Sequence, residues 1–164
     1  MHMRSTRPVR TVFLLGSLLG GFSACAPSIL MSTPVSRRAD GWGITLSQVK
    51  AGPDEYIGEG GVNVTAGTDE TLIWTLVSVK NEGSEEQTFS YETCALEGPG
   101  LSRQPLVIGR PAEAGAEVNP AADRAEAIPP GQERPRQLIY TFPKDQRPTR
   151  MRCDKIALPV PASR

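Results

Sequence analysis

The stretch 71–83, TLIWTLVSVKNEG, limits the possible folds more than any other part of the chain. Leu72, Trp74 and Leu76 fall on one set of alternate positions, and Ile73, Val77 and Val79 on the other. Period-two apolar spacing with β-branched residues reads as a strand. This strand is apolar on both faces, as a doubly buried strand is, although only one face needs to meet a core. It stops at Asn81-Glu82-Gly83, where Asn and Gly supply turn geometry.

Such a strand needs partners, and the remaining sequence offers short candidates. GWGITLSQVKAG alternates through Trp42, Ile44 and Leu46, and GGVNVTAG carries Val62 and Val64. EQTFSYETCALEGPG alternates through Phe89 and Tyr91 and stops at Gly98-Pro99-Gly100. QPLVIG is a short candidate, and QERPRQLIYTFPKD alternates through Leu138, Tyr140 and Phe142. TRMRCDKIALPV reads as one final strand whose period shifts once, as at a bulge. Residues 110–131 lack large apolar residues apart from Val118 and Ile128; they read as a long loop, with alanines that permit a short helix at 121–127. About seven short strands with turns between them, and no long helical period, predict an all-β antiparallel sandwich or barrel.

The N-terminus predicts export. Arg4, Arg7 and Arg10, without an acid, precede an apolar run of 13 residues from Val12 to Ala24. A basic start, a short apolar run and small residues make a secretory signal. The run is short of the roughly 20 residues a membrane-spanning helix requires. Phe22-Ser23-Ala24-Cys25 resembles the lipobox of bacterial lipoproteins, with Phe22 where that family has Leu, Val or Ile. The resemblance implies cleavage before Cys25 and lipid on its sulfur, with Ala26 directing the protein to an outer membrane in a diderm cell. The alternative is an ordinary signal cut near Ala24 or Ala26, leaving a soluble protein. Residues 1–24 are then the signal and 25–40 a lipidated cysteine with a flexible tether, rich in Ser, Thr and Pro. Residues 41–160 form the domain and 161–164 a tail.

The domain resembles an immunoglobulin-like family of unknown function found in exported bacterial proteins. VSVKNEG at 77–83, LEGPG at 96–100 and IPPGQERPRQLIYTFP at 128–143 follow that family's order, with Glu97 where its corner usually has Asp. The resemblance spans 42–160 and implies a single immunoglobulin-like β-sandwich of about seven strands; it carries no catalytic residues.

Composition narrows function further. After removal of residues 1–24 the chain has 15 basic and 18 acidic residues, a net charge of −3. That balance calls for no nucleic acid. Residues 40–97 carry a net −9 and residues 98–164 a net +4, charges that neutralise each other if the halves interleave. The only histidine, His2, leaves with the signal. This removes the usual acid–base group near neutral pH, His-based triads and histidine-ligated zinc or copper.

Several residues are candidates for a site. Asp54, Glu55 and Glu59, with Asp69 and Glu70, offer oxygen atoms for calcium, but without EF-hand spacing; solvated loop acids are the simpler reading. Trp74 reads as core. Trp42, between two glycines, either lines a ligand face or covers one end of the core. Arg147, Arg150, Arg152 and Lys155 are either a solvated strand face opposite the acidic half or a surface for phosphate or an acidic partner. With Cys25 lipidated, Cys94 and Cys153 are the remaining thiols, and an even pair in an oxidising compartment predicts a disulfide. The alternative is two separately buried thiols.

No cofactor or metal is expected, and no enzyme. The expected role is a membrane-anchored, non-enzymatic binding module in the cell envelope, with an envelope protein as partner. The alternatives are a spacer without a specific ligand and a carboxylate-based hydrolase.

Overall fold

The computed structural model describes residues 27–58, 63–111, 119–120 and 124–161. In chain order the strands are β1 (Ser28–Met31), β2 (Val35–Ala39), β3 (Trp42–Ala51), β4 (Glu55–Ile57), β5 (Asn63–Thr65), β6 (Glu70–Asn81), β7 (Gln87–Ser90), β8 (Cys94–Gly98), β9 (Leu101–Arg103), β10 (Val107–Arg110), β11 (Asn119–Pro120), β12 (Ala125–Ile128), β13 (Glu133–Pro143), β14 (Arg150–Cys153) and β15 (Ile156–Pro159). Among the described residues the helical structure is one 3-10 turn, Tyr91–Thr93.

The strand with two apolar faces, β6, sits at the centre of the larger sheet, in the order β1-β3-β6-β13-β10-β11, with β2 also on β3. It pairs antiparallel with β13 over eleven positions, from Glu70↔Pro143 to Lys80↔Glu133. On its other side β3 runs from Trp42↔Asn81 to Ala51↔Ile73, with one shift of register between Leu46 and Gln48. The smaller sheet has the order β15-β14-β8-β9. Ile44, Leu46, Ile73, Val77, Val79, Leu138, Tyr140 and Phe142 of the larger sheet join Cys94, Leu96, Met151, Cys153 and Leu158 of the smaller one in a single core. The chain is therefore nearly all β, an antiparallel sandwich.

The second apolar face of β6 has its own cover. Leu72 and Trp74 pack with Val107, Ile139 and Tyr56, with Val64 against them. Tyr56 and Val64 belong to the β4–β5 ribbon, which lies over this outer face. The Trp74 indole N–H donates to the Pro53 carbonyl at 3.1 Å, satisfying the polar atom of a buried ring. Farther along, Lys80 is exposed on the same face. Trp74 is thus core, as expected, but of this smaller cluster.

Four expectations about elements change. Residues 28–39 are not tether: β1 pairs with β3 at Ser28↔Ala51 and Ile29↔Lys50, and β2 pairs with β3 at Val35↔Leu46 through Ala39↔Trp42. Met31 is buried in the main core and Val35 packs against it. With Leu30 these make three core-packing residues among Ser, Pro and Arg, too few to show a period yet enough for edge strands. The presumed final strand with a bulge is a hairpin, β14 and β15, folded back at Asp154, whose φ of 51° is left-handed. The segment around Phe89 is two strands of different sheets, β7 and β8, separated by the 3-10 turn. Within 110–131, residues 125–128 are strand, paired with β7 and held by the buried Ile128.

Two ends of the molecule matter below. At one, Asp40 and Gly41 turn β2 into β3 with φ of 52° and 80°. Both central positions of this two-residue turn are left-handed, which suits Asp-Gly. At the other, β3 ends at Ala51, followed by the cis Gly52-Pro53 peptide.

Candidate functional site

A cleft of about 230 Å³ opens at the Trp42 end of the sandwich. Three pieces of chain form it: the β2–β3 turn with Ala39, Asp40 and Trp42; Thr88, Phe89 and Ser90 of β7 with Thr93; and the β14–β15 turn from Cys153 to Ile156. The topology explains the opening. Among the described residues β7 pairs with β12 and β15 with β14, and no ladder joins β7 to β15. The sandwich is left open between β7 and the β14–β15 turn.

The cleft is apolar inside and polar at the rim. Trp42 meets Phe89 edge-on with ring centroids 5.1 Å apart, and Phe89 meets Tyr91 the same way at 5.1 Å. Phe89 and Tyr91 are buried and Trp42 is half-buried against the core, so the row is rigid on its inner side. Trp42 both covers one end of the core and lines an opening; the two expectations for it were not exclusive. At the rim Lys155 Nζ stands 3.6 Å from Asp40 Oδ2, linking the two turns. Both side chains are largely exposed, so the pair contributes little to stability; it gives the rim both signs of charge.

The disulfide lies beneath the cleft. Cys94 and Cys153 are bonded, with Cα atoms 3.9 Å apart. They face each other directly in the β8–β14 ladder, and both are fully buried. The Tyr140 hydroxyl donates to the Cys94 carbonyl at 2.8 Å, and burial pushes that hydroxyl's pKa well above its ordinary value. Tyr91 donates to the Arg134 carbonyl at 3.3 Å and is also raised by burial. Both tyrosines therefore act as neutral donors that fix the strands around the opening.

The other candidates are occupied elsewhere. Asp54 Oδ1 accepts from the Thr71 hydroxyl at 2.5 Å and the Leu72 amide at 3.2 Å, capping the start of β6. Glu70 pairs with Arg103 at 3.3 Å, and Glu55 accepts from Asn63 at 3.5 Å. The backbone carbonyl of Asp69 accepts from the Lys144 amide. Among the described residues no three His, Cys, Asp or Glu side chains converge as a metal site would require. Glu59 and Cys25 lie outside the described residues.

The basic run is not a free surface. Arg150 and Arg152 both bind Glu97, Arg152 at 2.6 Å. Arg147 donates to the Leu30 carbonyl at 2.6 Å. Glu97 is buried, and the Arg150 hydrogen bond, aided by Arg152, holds its carboxyl below the ordinary value of 4.5 against the opposing effect of burial. The two charged halves interleave, as Glu97 with Arg150 and Arg152, Glu70 with Arg103, Glu92 with Arg124, Asp54 with Lys144 and Asp40 with Lys155 all show.

Sequence reasoning found Trp42 and Lys155 but not the cleft. Asp40-Gly41 between two apolar-bearing runs is a hairpin signal, and it points to the turn that forms one wall. Nothing in the sequence brings β7 to that turn.

No protein-family model and no curated protein matches the sequence. Among solved structures, the chain is similar to a functionally unknown protein from Listeria monocytogenes EGD-e, at 13% identity and a TM-score of 0.51, over 84% of this chain and 89% of that one. It is also similar to an uncharacterized β-sandwich protein from Clostridium difficile 630, at 12% identity and a TM-score of 0.44, over 71% and 79% of the two chains. The first likeness is one of fold.

Proposed function

We propose that the chain is an envelope lipoprotein, anchored through lipid on Cys25, whose immunoglobulin-like sandwich is a non-enzymatic binding module with the Trp42 cleft as its binding site. The cleft itself carries this reading. It combines an aromatic wall and both signs of charge on a disulfide-braced frame, and ligand sites are built this way. Its titratable groups, Asp40, Asp154 and Lys155, are exposed rather than set against a nucleophile, which favours binding over catalysis. The basic start, short apolar run and Ser-Ala-Cys support the anchor, and Ala26 supports an outer-membrane address. The order of VSVKNEG, LEGPG and the Pro-Gly turn supports the immunoglobulin-like assignment.

The test is chemical cross-linking and pull-down of the full chain in its native envelope, alongside Trp42→Ala and Lys155→Glu. Lys155→Glu reverses a charge at the rim without touching the core. A stoichiometric partner captured by the wild type and lost in both variants is the expected result. A partner retained by both variants moves the site elsewhere, and no stoichiometric partner favours a spacer.

A further inference from the structure

Strand β1 starts at the end of the sandwich opposite the cleft, and in the sequence only two residues separate it from Cys25. We propose that the domain rests on the lipid surface through its Ala51 end, with Ile29 and Ile57 at the interface, and holds the cleft away from the membrane. This rests on lipidation of Cys25.

Only Ala26 and Pro27 separate Cys25 from Ser28, the first residue of β1. A fully extended chain covers at most about 3.6 Å per residue, so the Cys25 and Ser28 Cα atoms are within about 11 Å of each other. The headgroup layer on each side of a bilayer is roughly 5–8 Å deep. Strand β1 therefore starts in or just above the headgroups. It does not serve as a longer tether, because Met31 is buried in the core and the Leu30 carbonyl is held by Arg147. Ser28 and Ile29 pair with Ala51 and Lys50, which fixes the anchor point at the Ala51 end of β3.

Trp42 begins the same strand and Ala51 ends it. At about 3.3 Å per residue the two ends are about 30 Å apart. With one end tied to the lipid surface, the other faces solvent and any partner.

The outer face near the anchor is suited to lipid. Ile29 is 56% exposed and Ile57 59% exposed, two of the three large apolar side chains so exposed among the described residues. Ile29, Lys50, Trp74, Ile139 and Val107 form one cross-strand row on this face. The β4–β5 ribbon covers the row beyond Lys50, with Tyr56 turned inward and Ile57 outward. Lys50 stands over the Trp74 ring at 5.5 Å. Nearby acids are engaged, Asp54 with Lys144 and Glu70 with Arg103, although Glu55 is exposed beside Ile57. Apolar contact with a neutral surface fits this balance better than attraction to anionic lipid.

The experiment uses the full chain purified from membranes, with acylation of Cys25 checked by mass spectrometry. With Cys25 lipidated and Cys94 bonded to Cys153, an introduced Ile57→Cys or Lys155→Cys supplies the one free thiol for an environment-sensitive fluorophore. Each labelled protein is placed in phosphatidylcholine vesicles with plain or brominated acyl chains. Brominated lipid should quench the label at 57 and leave that at 155 unchanged. Ile29→Ser should reduce the quenching at 57 while the protein stays vesicle-bound. An acylated, vesicle-bound protein with no quenching at 57, or with quenching at 155, overturns the orientation and leaves the anchor standing. Absence of lipid on Cys25 overturns both.

Discussion

Asn81 shows how much one side chain holds. It is fully buried, and its amide nitrogen donates to the Glu85 and Ile128 carbonyls, each at 2.7 Å. Its side-chain oxygen accepts from the Gly83 amide at 2.8 Å. One residue thereby ties the end of β6 to the next turn and to the end of β12. Asn81→Ala leaves the buried Ile128 carbonyl without this partner and loses the part-buried bonds to Glu85 and Gly83; it should destabilise by about 1–3 kcal/mol, read as a lower denaturation midpoint with unchanged slope. Glu97 makes a prediction about pH. Its carboxyl is held low in the folded chain, so its stabilising contribution is present above the unfolded value near 4.5 and is lost as pH falls through the lower folded value. Glu97→Gln should therefore lower the melting temperature at neutral pH, and the gap from wild type should close in acid. From the sequence, Asn81 was legible as a turn residue but not as a latch. Its partners Glu85 and Ile128 lie 4 and 47 positions away, and only folding brings the second near. Glu97 was legible as a corner residue; its two arginines appeared only as a basic run.

Among elements, the long central strands of the larger sheet were the easiest to read. Strand β6 and the half-buried β13 announce themselves by period and length. The edge strands β1 and β2 do not, because an edge needs few inward residues. The β14–β15 hairpin was hidden because Asp154-Lys155 lacks a glycine, so the reversal looked like a slip of period. The disulfide joins two neighbouring strands of the smaller sheet. It binds β8 to β14 across a separation of 59 positions, for which chain entropy gives at most about 4 kcal/mol. Cys94→Ala and Cys153→Ala should each lower the melting temperature, and the double variant should be little worse than either. Both thiols of the wild type should resist alkylation in denaturant until a reductant is added. At Gly98 a Cβ would lie 2.8 Å from the Phe142 ring, so Gly98→Ala should also destabilise, by about 1–3 kcal/mol from overpacking.

At the scale of the whole molecule, the interleaved charges and the two-sheet core make one unit with two distinct ends. The all-β class followed from the sequence because short alternating segments and turns recur throughout. The cleft did not, because it is a gap left between strands distant in the chain. The likeness to the Listeria monocytogenes protein bears on this architecture and leaves function to the site. The proposed function turns on the proposed lipid on Cys25, which would set which end meets the membrane and which meets a partner. Metabolic labelling of the full-length chain with a fatty-acid analogue, followed by separation of membranes, addresses it. The wild type should carry the label and sediment with membranes, while Cys25→Ser should lose the label and appear in the soluble fraction. A Cys25→Ser chain that remains labelled and membrane-bound contradicts the anchor.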